Sequence, residues 1–182
     1  MSALIRRVVG VSCSVLVLVL PMKSNAAENV NVVLEQMKLA SSVGARCSGF
    51  YDGVFALLHN LSQAADGPAL DVIQSNWPGI NKRYVFRQST SAMLMTGIFI
   101  KQMNKKFPLE ENVSFKSFSQ DYVTSRKAAM SWKNDKINND AQAQQRRQCG
   151  HILQIAKKNG TLNDQVINAA MGKRAVALGV DL

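Results

Sequence analysis

Three cysteines, two histidines and twelve carboxylates are the residues here from which a reactive site would be built. Cys47 and Cys149 carry the clearest message. Neither belongs to a Cys-x-x-Cys pair, and neither has a basic cluster on its own helix face, so nothing activates a thiolate. An even pair in an oxidising compartment forms a disulfide. Its loop of about 100 residues has an expected value of ~4.7 kcal/mol in the chain-entropy picture, an upper figure because native strain subtracts. His59 and His151 lack the partners at helical spacing that a metal centre needs. Cys149 and His151, two residues apart, point to nearly opposite sides of a helix and do not form a thiol–imidazole pair. Asp52 stands alone in a strongly apolar helical pattern. Glu110-Glu111 follow Pro108 and suit a helix N-terminus. No Gly-x-Ser-x-Gly elbow and no phosphate-cradling glycine loop occurs. The expectation is no catalytic residue, no metal site and no cofactor.

The compartment is read from residues 1–26. Arg6-Arg7 precede an apolar block from Val8 to Leu20, Pro21 breaks it, and Ser24-Asn25-Ala26 supply small residues for cleavage before Ala27. That is the layout of a secretory signal peptide. The block holds 13 residues, short of the roughly 20 that a membrane anchor needs. Cys13 lies within the block, badly placed for lipid modification. Export to the periplasm or the exterior is expected, with a mature chain of residues 27–182 and no stable transmembrane segment.

Cleavage removes three cations and no acid, which lowers the formal charge from +10 to +7. No acid falls between Asp71 and Glu110, whereas Lys82, Arg83, Arg87, Lys101, Lys105 and Lys106 all do. These six form a candidate partner-binding basic surface, suited to an acidic protein or an anionic envelope component. Nucleic acid is excluded by compartment and by the lack of a binding motif. The competing reading is a surface that serves solubility alone.

Periodicity supplies the scaffold. Val33, Met37, Ala40, Gly44, Cys47, Tyr51, Val54, Leu58 and Leu61 alternate steps of four and three, an apolar helix face over residues 29–65. Gly67-Pro68 is expected to end that helix, and residues 69–79 to connect it with at most a short helical turn. A second helix is expected over 80–106. Its middle, residues 92–100, is apolar nearly all round, which argues for a central position. A third helix is expected from Ser114 and a fourth from Ala141 to Lys158, after a break at Asn138-Asn139-Asp140. A short helix opened by Thr161 and Asp164 follows, with a loosely held tail after Gly172. The fold class is all-α: one domain, a four-to-five-helix bundle cross-linked by one disulfide.

The string Cys47-Ser48-Gly49-Phe50-Tyr51-Asp52-Gly53-Val54 resembles the Cys-x-Gly-aromatic-x-x-Gly-Val segment of periplasmic immunity proteins that neutralise cell-wall amidases delivered by type VI secretion. The similarity covers about eight residues, and the second cysteine segment of that family, a Cys-x-Pro, is missing. The absence of catalytic motifs points to a non-enzymatic protein that binds another protein or the envelope surface, and the resemblance implies one version of it, an effector-immunity protein. The alternative is an envelope hydrolase whose carboxylates converge only on folding.

Overall fold

A computed structural model describes residues 26–107, 112–133 and 135–182. Cys13 and the expected leader up to Asn25 lie outside the described residues, as do Pro108 and the Glu110-Glu111 pair. The described residues form six α-helices and no strand: α1 (Ala26–Gln63), α2 (Gly67–Asn76), α3 (Lys82–Lys106), α4 (Ser119–Met130), α5 (Lys136–Lys158) and α6 (Asp164–Leu178). The all-α class and the disulfide stand; the helix count is six rather than four to five.

Four boundaries moved, each for a local reason. Gly67-Pro68 opens α2 instead of closing α1. Asp66 accepts the Ala69 amide at its carboxylate, and Pro68 occupies the first turn, where a missing N–H costs nothing. The chain reverses one step earlier, at Ala65, whose φ of 53° is left-handed. At α5, Asp135 caps the helix by accepting the Asn138 amide at 2.8 Å, so the Asn-Asn-Asp run expected as a break lies within the helix, as its third to fifth residues. At α6 the cap is Asn163, whose Oδ1 accepts from the Val166 amide at 2.8 Å, and not Thr161. In place of a loose tail after Gly172, α6 continues to Leu178 and ends on Gly179 in the left-handed region.

The middle of the bundle belongs to α1 rather than to α3, because α1 packs along both α3 and α4 and touches α2 and α5 as well. Its sequence explains how. Gly44 faces α3, where an added Cβ would fall 2.3 Å from Thr96 Oγ1. Gly49 and Gly53 face α4, where it would fall 2.1 Å from the Tyr122 carbonyl oxygen and 2.4 Å from that of Arg126. Three side-chain-free positions thus let one helix lie against two neighbours at near-backbone contact. Around the remaining faces, Phe50, Tyr51, Val54, Trp77, Val85 and Phe86 build the main core, and Met37, Ala45, Met103, Phe107 and Phe118 a second cluster toward the other end. The apolar middle of α3 is buried at Ala92, Met95 and Thr96 but only half-buried at Ile98, Phe99 and Ile100.

Gly49→Ala is expected to destabilise the protein by about 1–3 kcal/mol, since the new methyl meets backbone that cannot yield. Gly97→Ala enters open space on α3 and should gain about 0.5–1 kcal/mol from helix propensity. Urea unfolding of the two variants tests the close approach; equal midpoints would refute it.

Candidate functional site

Cys47 and Cys149 are joined, with their Cα atoms 5.4 Å apart. Both are buried, and they staple α1 to α5 at the main core. His151, two residues on, is exposed, as the helical spacing requires, and so is His59, which stacks on Phe55. The Cys47–Val54 string is therefore interior: Cys47 is bonded, Gly49 and Gly53 hold α4, and Phe50 and Val54 fill the core.

The most concentrated polar chemistry centres on Asp52 of α1, in a cluster with side chains from three other helices, α3, α4 and α6. Arg174 of α6 donates from Nη2 to both Asp52 oxygens, at 2.7 and 2.6 Å. Tyr122 of α4 donates its hydroxyl to Asp52 Oδ2 at 2.8 Å. Arg174 Nη1 also donates to Ser89 Oγ at 2.9 Å and Thr90 Oγ1 at 3.3 Å, both on α3, and its guanidinium lies 4.8 Å from the Phe86 ring centroid. Burial and the Asp52 charge push the Tyr122 phenol up to about 12. A signal did exist: Ile167, Met171 and Arg174 keep the four–three spacing, which puts the cation on the inward face of α6.

Asp52 and Asp121 do not converge into an acid–base pair. Asp121 accepts from Ser42 Oγ at 2.7 Å and lies 4.0 Å from Arg46. Ser42 and Asp52 are ten residues apart on α1, roughly 15 Å of helix, against the ~5–9.5 Å used in glycoside cleavage. A small cavity of about 200 Å³ between α1, α2 and Trp132 is lined by Leu57, Leu61, Ala69, Val72 and Ile73, none of them titratable. Among the described residues no cluster of three His, Cys, Asp or Glu side chains is placed to hold a metal, and no helix is long and apolar enough to cross a membrane.

The six basic residues of α3 split into two groups. At its start, Arg87 is spent internally: it pairs with Asp164 at 2.7 Å and hydrogen-bonds Asn168, both on α6. Lys157 of α5 meets the same Asp164 at 2.7 Å, and its bond and charge, joined by those of Arg87, hold that carboxyl below its usual range. Lys82 is half-buried and Arg83 exposed. At the other end Lys101, Lys105 and Lys106 are all exposed, with no ion pair among the described residues. Leu94, midway, packs on the core, so the two basic groups do not merge into a stripe.

No protein-family model, no curated protein and no solved structure matches the chain.

Proposed function

We propose that this is a non-enzymatic helical protein of the periplasm or exterior that binds an acidic protein partner through the far end of α3. The observation that carries the reading is the cluster of Lys101, Lys105 and Lys106, all exposed and without an ion pair among the described residues, at the end of a helix that holds no acid. Two of these lysines also lie in the last turn of α3, where cations suit the helix dipole. That accounts for their tolerance but not for Lys101. Three cations fall short of the clusters of about 4–8 that select anionic membranes, so protein is favoured over lipid. A buried disulfide between distant helices fits an oxidising compartment. Effector immunity, suggested by the Cys47–Val54 string, is one concrete version: the recognised protein would be a secreted amidase, and the string itself would serve the scaffold.

The test compares the wild-type protein with Lys101→Glu/Lys105→Glu/Lys106→Glu in pull-downs from envelope extract at low and moderate salt. The wild type should retain an acidic partner that is lost as salt rises, because exposed charges are screened beyond ~8–10 Å, and the variant should not retain it. Identical recovery and salt profile would overturn the reading. Binding to anionic vesicles with no protein retained would replace the protein partner with the envelope surface.

A further inference from the structure

Arg174 is held the way a receptor holds a ligand. Every group that touches its guanidinium comes from α1 or α3, and Tyr122 of α4 orients the carboxylate. Asp52, Ser89, Thr90 and Phe86 are respectively 7%, 0%, 2% and 1% exposed, so the pocket is an interior one.

Its walls are also fixed without Arg174. Thr90 donates to the Phe86 carbonyl at 2.8 Å, Ser89 to the Ser48 carbonyl at 3.3 Å, and Gly49 and Gly53 lock α1 against α4. A carboxylate, two hydroxyls and an aromatic face around one planar cation match a guanidinium and not the point charge of an ammonium.

The helix that supplies the cation is otherwise lightly anchored. Of its 15 residues only Ile167 and Met171 are buried, and its Asp164 bridges lie at the surface. It follows α5 through a short turn in which Gly160 takes a φ of 73°. Such an element opens at lower free energy than the core.

We propose that α1, α3 and α4 form a guanidinium-binding site, filled in cis by Arg174, which takes an arginine side chain from a second polypeptide when α6 withdraws. The site is separate from the exposed lysines at the end of α3, and it stands or falls independently of them.

The test uses the full chain carrying Arg174→Ala. Saturating methylguanidinium should raise its thermal midpoint by about 2–4 °C, and the same concentration of methylammonium should not. Adding Asp52→Asn should abolish the difference. A labelled peptide of residues 164–178 should bind Arg174→Ala about ten-fold more tightly than the same peptide with Arg174→Lys. Equal responses to the two cations, or equal binding of the two peptides, would overturn the proposal. Should Arg174→Ala fail to fold, hydrogen exchange of the wild type decides. Methylguanidinium should speed exchange across residues 164–178 beyond the effect of methylammonium, and identical exchange would refute the site.

Discussion

Asp52→Ala is expected to cost about 3–5 kcal/mol of stability, because breaking a buried pair from one side leaves the other charge uncompensated. Arg174 is only 17% exposed and has no second carboxylate among its partners. The Tyr122 hydroxyl loses its acceptor at the same time. Asp52→Asn keeps the shape and one acceptor oxygen, so it should lose less than the alanine variant. Urea unfolding gives both numbers. A loss below about 1 kcal/mol for Asp52→Ala would place this pair in the class of surface bridges and remove its role in docking α6.

Removing the disulfide with Cys47→Ala/Cys149→Ala should approach the same size, up to ~4.7 kcal/mol for a loop that spans 102 residues. The loss should not be uniform. Within α5, Cys149, Leu153 and Ala156 enter the main core, while most of the first half of the helix is polar. Hydrogen exchange should therefore rise most over α5, with α1 and α3 less affected. Intact mass with and without reductant establishes the bond in the native protein. Equal unfolding midpoints for the cross-linked and alanine forms would show that the helix faces alone hold α5 in place.

The parts of the fold that were legible are those written as local pattern. Nine residues of α1 in steps of four and three describe a helix face without reference to anything else, and two inward cysteines in such faces need only a shared compartment to be paired. The starts of α2 and α5 were misread because Gly-Pro and Asn-Asn-Asp serve equally as stops and as caps, and the side-chain bonds that decide between them are not sequence features. Gly49 and Gly53 are silent until the α4 backbone is known to lie against them. Asp52 and Arg174, 122 positions apart, belong to no motif. Each reads as an anomaly in an apolar pattern, and two anomalies become one interaction only when the fold superimposes them. The lysines of α3 were visible from the start, but the diversion of Arg87 to Asp164 was not, since it depends on where α6 lies.

Both contacts that close the molecule around α1, the Cys47–Cys149 bond and the Asp52–Arg174 pair, join an early helix to residues from the last quarter of the chain. A polypeptide that emerges from its N-terminus first will present α1 through α4 for an interval in which Cys47 is an unmatched thiol and Asp52 an unmatched carboxylate. During that interval the glycine-lined contacts must hold the young chain unaided, and any other thiol it meets competes for Cys47. Both partners emerge late, Cys149 ahead of Arg174, so a chain interrupted between them can be cross-linked and still lack the ion pair that seats its final helix.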